Sequence, residues 1–261
     1  MAQIPAKVLE RFKETIPKLQ KVLDSAKTRD VNEADTVVIV MDILAYVFGF
    51  DKYSEITREF VIKGTYCDLA IKLDNKVKFL IEVKAVGITL NDKHFQQALD
   101  YGANQGIEWI VLTNGIHWKI YKVKFEKPIG TDFVGEFVFQ DIKPKSQTDL
   151  DKLYILCKEG LRKNAIDEFA EYRLSVNKFF ISAVTQSEAV VDAIKKELKK
   201  INPNVKPETE EIQTILKNEV IKRELIDTPE AQDAISKFEK IIKKALKDKE
   251  KALMAKNALT E

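Results

Sequence analysis

The sequence predicts an α/β protein: a mixed central β-sheet flanked by helices, followed by an all-helical C-terminal part. Three observations carry that expectation. Short runs rich in β-branched and aromatic residues recur between about 54 and 140. Helical periodicity precedes those runs and interrupts them once, and beyond Pro144-Lys145-Ser146-Gln147 the pattern is helical throughout.

A first helix is expected over 5–27, where Leu9, Phe12, Ile16, Leu19 and Leu23 form an apolar stripe; Pro17 in its middle should kink or split it. A second runs from about 32 to 48 with Val37, Val40, Met41, Leu44 and Val47 at helical spacing, and Gly49 ends it. Strands are expected at 54–62, 66–73 and 77–86, a helix at 91–104, and further strands at 108–113, 117–125 and 132–140. Asp74-Asn75 and Asn114-Gly115 supply the turns. The expected domain boundary divides 1–147 from 148–261, with later helices at 165–184, 188–201, 208–225 and 229–258. Thr228 before Pro229 makes a good helix start, a cap followed by proline at the first helical position. Ile235, Phe238, Ile242 and Leu246 make an apolar stripe that suits packing within the chain, a partner helix or a dimer seam, in too few heptads for a coiled coil.

At 261 residues and 45% hydrophobic, the chain can bury one large core or two modest ones. Its net charge of +2, from 43 basic and 41 acidic residues, does not by itself point to nucleic acid. No stretch is apolar for long enough to span a membrane, and Met1-Ala2-Gln3-Ile4-Pro5 lacks a signal-peptide pattern, so cytoplasmic residence is expected. Cys67 and Cys157 are not spaced as a zinc site and read as reduced core residues. Only His94 and His117 are available as histidine bases, and no Gly-x-Ser-x-Gly elbow occurs, so acyl-transfer chemistry is disfavoured.

Charge stands out inside the central strands. Asp68 lies in Tyr66-Cys67-Asp68-Leu69-Ala70-Ile71, and Glu82 and Lys84 lie in Phe79-Leu80-Ile81-Glu82-Val83-Lys84. Alternation along a strand puts Glu82 and Lys84 on one face and Ile81 and Val83 on the other. A hairpin through Asp74-Asn75 brings Asp68 beside them. Two close carboxylates repel and resist desolvation unless a cation or a shared proton relieves them. Oxygen ligands with room for water suit Mg²⁺ or Mn²⁺, and a neighbouring ammonium can stabilise charge growing on a phosphoryl oxygen. That combination describes phosphodiester hydrolysis; the plainer alternative is a Glu/Lys pair at a strand end with Asp68 capping a turn. Gln97 and Tyr101 lie one helical turn apart, in reach of a backbone phosphate. Lys63, Lys72, Lys76, Lys78 and Lys84 in or beside those two strands, with Lys119, Lys122, Lys124 and Lys127 in the later hairpin, suit either a basic cleft for a phosphate backbone or ordinary solvated strand faces.

Asp68, a gap of about a dozen residues, Glu82-x-Lys84, Gln97-x-x-x-Tyr101, Leu112-Thr113-Asn114-Gly115 and an aromatic strand together resemble the PD-(D/E)xK nuclease superfamily. Over roughly 30 to 125 the chain is similar, more closely, to the N-terminal domain of the R subunit of type I restriction enzymes and to small stand-alone proteins built around it. The resemblance implies a restriction-endonuclease-like fold and metal-dependent cleavage of DNA. By the same resemblance Asp68 and Glu82 are metal ligands, Lys84 is the catalytic lysine, and Gln97 and Tyr101 are an accessory pair. Glu33, with Asp35 second, is the candidate for a further acid from the preceding helix. Cys67 stands where the superfamily often has proline. An R subunit also carries an ATP-driven motor, and no ATP site is evident here: Gly130 and Gly135 have the spacing of a phosphate loop, but Glu136 replaces its lysine. The resemblance therefore implies a restriction-related nuclease fold without the motor, active on DNA or acting as a non-catalytic DNA-binding or adaptor subunit. A homodimer, or recruitment of restriction-complex subunits through the C-terminal helices, is compatible with either.

Overall fold

The computed structural model describes residues 3–62, 65–91, 94 and 96–257. The first helix, α1 (Ala6–Thr28), buries Val8, Phe12, Ile16, Leu19, Leu23 and Ala26 along one side. Pro17 does not split it. The proline and Lys13, whose carbonyl loses its helical partner, are both exposed, so the missing bond falls on the wet side, where water replaces it. The second helix, α2 (Glu33–Asp42), is capped by Asn32, whose side chain accepts from the Asp35 backbone N–H at 2.9 Å. It widens into a π turn over Ile43–Val47 and ends at Gly49, whose φ of +82° suits glycine.

Six strands come next: β1 (Ile56–Ile62), β2 (Thr65–Leu73), β3 (Lys76–Val83), β4 (Trp109–Thr113), β5 (His117–Lys124) and β6 (Gly130–Val138). They lie side by side in chain order, and every pairing is antiparallel except β3 with β4. The β2–β3 turn is the expected one, with Asp74 and Asn75 at φ of 52° and 61° between the paired residues Leu73 and Lys76, as a two-residue hairpin requires. A parallel pair needs a crossover, and helix α3 (Gln96–Gln105) supplies it.

Both faces of the sheet are covered. On one face, Leu69, Ile71, Phe79, Ile81, Val83, Val111 and Trp118 join the buried sides of α1 and α2. On the other, Leu80, Ile110, Leu112 and Tyr121 pack with Ala98 and Leu99 of α3. Helices α4 (Gln147–Tyr154) and α5 (Lys158–Arg162) add Leu150, Leu153, Tyr154 and Leu161 to the first core. Arg11 ties that end together: its guanidinium donates to both Glu159 carboxylate oxygens at 2.7 and 2.8 Å, and its Nε to the Val47 carbonyl at 2.9 Å.

Contacts divide the chain into two compact units, Met1–Arg173 and Leu174–Glu261, and helix α6 (Ala165–Ser175) spans the division. In the second unit are α7 (Lys178–Thr185), α8 (Glu188–Ile201), α9 (Thr209–Ile215) and α10 (Pro229–Asn257), with a small core of Ala183, Val191, Ile212, Ile226, Ala231 and Ala234. Helix α10 starts as the sequence suggests, the Thr228 hydroxyl accepting from the Ala231 backbone N–H at 3.3 Å. Among the described residues no helix is long and apolar enough to cross a membrane.

Candidate functional site

The antiparallel register that pairs Leu69 with Ile81 places Asp68 across from Glu82. Because Leu80 and Leu112 pack under α3 while Ile81 and Val83 pack under α1 and α2, Glu82 points to the α3 face, as alternation predicts. The Val83 backbone N–H donates to Asp68 Oδ2 at 2.7 Å, locking that carboxylate to the strand that carries Glu82. Lys84 Nζ donates to Glu82 Oε1 at 2.7 Å and stands 3.5 Å from Glu33 Oε2 at the first turn of α2. Asp68, Glu82, Lys84 and Glu33 thus lie together at the carboxyl end of β3.

Glu82 is 6% exposed, and side-chain exposure rises outward from Glu82 through Lys84 to Glu33. Burial pushes the Glu82 carboxyl up to about 7, with the Asp68 charge adding to the rise against the relief that Lys84 gives. Burial also raises Asp68, offset by the Val83 N–H and by Lys84. Burial alone would lower Lys84, but Glu82, Glu33 and Asp68 together hold it above an ordinary lysine. Behind the pair, burial and the two acids push the Cys67 thiol up to about 12, so this cysteine is an inert wall. Cys157 is likewise buried and free.

β3 ends at Val83, short of the expected 86, yet the residues just after it are held firmly. The Lys84 N–H donates to the Thr113 carbonyl at 2.8 Å. The buried Thr36 hydroxyl donates to the Asn32 carbonyl at 2.8 Å and accepts from Val86 N–H at 3.1 Å. Asn114, 2% exposed, donates to the Val86 and Ile88 carbonyls and accepts from the Ile116 and His117 N–H groups. Gly115, at φ +83°, lets the chain turn over it and offers its carbonyl to Trp118 Nε1 at 2.8 Å. The Thr-Asn-Gly run is therefore a bracket for the loop that leaves the site, a role the sequence suggests only as a turn. Thr36 escapes sequence reasoning altogether; its one signal is a hydroxyl on the apolar side of α2, a turn before Val40.

The other candidate residues are placed as their elements dictate. Gln97 and Tyr101 belong to α3, on the side of the sheet that carries Glu82, but their side chains lie outside the described residues. Asp35 is exposed, consistent with a role in the helix start. His94 contacts Asn91, and His117 is exposed at the start of β5.

Three carboxylates facing one ammonium make a donor set that suits a hard divalent cation, and Mg²⁺ commonly takes one or two protein carboxylates and keeps its waters. The third acid does not close a ring: Glu33 approaches Lys84, and among the described residues no three His, Cys, Asp or Glu side chains are grouped to hold a metal. The fit is thus to a two-carboxylate site. No curated protein and no solved structure matches this chain. Glu33 lies before the segment that a family model matches, whereas Asp68, Glu82, Lys84 and α3 lie within it. That segment, residues 49–134, matches the model of the type I restriction enzyme R protein N terminus (HSDR_N), a domain of the PD-(D/E)xK superfamily.

Proposed function

We propose that this protein hydrolyses phosphodiester bonds in DNA with Mg²⁺ or Mn²⁺ held by Asp68 and Glu82, and with Glu33 at the edge of the site. The observation that carries the reading is the half-buried Asp68 beside the buried Glu82, with the Lys84 ammonium on Glu82 and its charge felt by Asp68, at a strand end covered by a match to a restriction-enzyme domain. When bound, the metal supplies a Lewis acid beside the phosphate and lowers the pKa of water. The chain's own residues do the rest. Lys84 keeps one N–H on Glu82 Oε1 and presents its others to the oxygen on which charge develops. Glu82, titrating near neutrality, takes up or releases a proton at its carboxyl as its cation partners change. Gln97 and Tyr101 hold the scissile strand from α3.

The test is a plasmid-nicking assay with Mg²⁺ or Mn²⁺, beside calorimetry of the same ions. Asp68→Asn keeps an acceptor for the Val83 N–H and removes the charge; it should abolish cleavage and weaken ion binding. Unchanged cutting by that variant sinks the assignment.

A second reading, a non-catalytic DNA-binding or adaptor subunit of a restriction complex, is favoured by one observation: Lys84 already occupies a Glu82 oxygen. It expects DNA binding with a steep salt slope and no metal-dependent cut. In both readings the helices after 147 are the proposed surface for a second copy or another subunit. Loss of a stoichiometric partner on deleting residues 174–261, which leaves α4 and α5 in the first core, tests that.

A further inference from the structure

We propose that the cavity of about 330 Å³ beside the end of β3 is a phosphate subsite that holds the backbone of a nucleic-acid strand next to the acid cluster, through Lys119, Lys27 and His117. The proposal rests on the nuclease reading for the identity of the strand, and on the cavity's own chemistry for the phosphate.

The lining includes Lys27, Thr89, Asn114, His117 and Lys119 and, among the described residues, no acidic one. Its size leaves room for about ten waters at ~30 Å³ each, enough for a hydrated phosphodiester. Asn114 forms wall rather than contact, because its amide is already committed to the Val86 and Ile88 carbonyls. Asp30 lies against Gly87 of the lining.

Position selects Lys119 from among the lysines of β5. The register runs from Glu82 to Leu112 on β4 and from Leu112 to Lys119 on β5, all on the α3 face. Two strand spacings separate the backbones of Glu82 and Lys119 by roughly 10 Å, about three base-pair steps of ~3.4 Å measured along a duplex axis. Lys122 and Lys124 are engaged elsewhere, with Glu108 and Asp167 and with Asp132. Lys119 donates to the Leu90 carbonyl at 3.4 Å, and among the described residues no ion pair joins it to Glu136, its neighbour across β6. An ammonium has three donors, so two remain for a ligand. Lys27, in the last turn of α1, and His117, two residues before Lys119 on the same face, complete the basic side.

The experiment measures binding of labelled duplex DNA to the full chain by anisotropy, in EDTA, between ~50 and ~200 mM salt. Lys119→Gln and Lys27→Gln should each weaken binding several-fold and flatten the log–log salt slope by about 0.9, and the double variant should add both losses. Lys200→Gln, remote in sequence and paired with Glu197, should change neither. An unchanged slope in the double variant, or no DNA binding by the parent protein, overturns the subsite. A second arm tracks the His117 imidazole by NMR: DNA should shift it, and inorganic phosphate at matched ionic strength should not. Equal shifts would make this a free-anion site and overturn the strand assignment. Cleavage is scored separately, so a flattened slope in a protein that never cuts DNA would retain the subsite and reject the nuclease.

Discussion

Asp68 and Val83 are joined across β2 and β3 by a 2.7 Å hydrogen bond from backbone to carboxylate, although the two residues are separated by a full hairpin. The bond fixes one acid to the backbone, while the neighbouring Glu82, among the described residues, is held by the Lys84 side chain. The pair is therefore asymmetric, with one carboxylate held by the backbone and one held by a charge that can move.

That asymmetry gives a pH dependence with a defined sign. The Glu82 carboxyl lies at about 7, above its ordinary 4.5, so folding takes up a proton between those values. Its contribution is fully present below about 4.5 and is lost as pH rises through about 7. Metal-free protein should lose on the order of 2–3 kcal/mol across that window, at ~1.4 kcal/mol per unit. Urea unfolding at both ends of the window checks this. Glu82→Gln should remove most of the slope, and a slope that persists would place the titrating group elsewhere.

Divalent cation should reverse the same trend. Binding to ionised Asp68 and Glu82 displaces protons, so affinity should rise with pH up to about 7 and then level off. Calorimetry in two buffers of different ionisation enthalpy reads the proton release directly. Affinity that is flat across this range would exclude Glu82 as a ligand.

Lys84→Met separates binding from chemistry. Loss of the ammonium leaves Glu82 and Asp68 without their compensating charge, at a cost of about 1–3 kcal/mol, and metal should restore the melting temperature. Cleavage should fall by about a hundredfold or more, as for loss of one electrostatic donor at a reacting centre. Full activity in this variant would remove Lys84 from the mechanism.

Asn114→Ala tests the bracket. It strips hydrogen bonds from two buried carbonyls and two N–H groups and should cost about 2–4 kcal/mol in urea unfolding. Thr36→Val, which loses one accepted and one donated bond, should cost about 1–2 kcal/mol. A negligible change in both would mean that the loop after Lys84 is held by other contacts.

The parts of this molecule legible in the sequence are those governed by short range. Strand alternation put Glu82 and Lys84 on one face, and Asp74-Asn75 marked the two-residue hairpin turn, but the register that sets Asp68 opposite Glu82 also needs the one-residue shift at Ile71/Lys72, which nothing in the sequence marks. Long-range partners were not legible. Arg11 and Glu159 are 148 positions apart, and nothing local marks either as half of an ion pair. That Pro17 leaves α1 unbroken was not legible for a related reason: its cost depends on which side of the helix faces water, and that is set by packing. Thr36 and Asn114 read as an ordinary helix residue and a turn, since a buried polar group shows its purpose only once its partners are in place.

At the carboxyl end of β3 the sheet changes direction, with β2 running against it and β4 running with it. The cavity lined by Val86 to Leu90 lies beside that end. The segment 84–91 forms its lip while the acids stay anchored below. Under the proposed function, exchange of a few residues after Lys84 would alter what enters and leave Asp68, Glu82 and Lys84 in place.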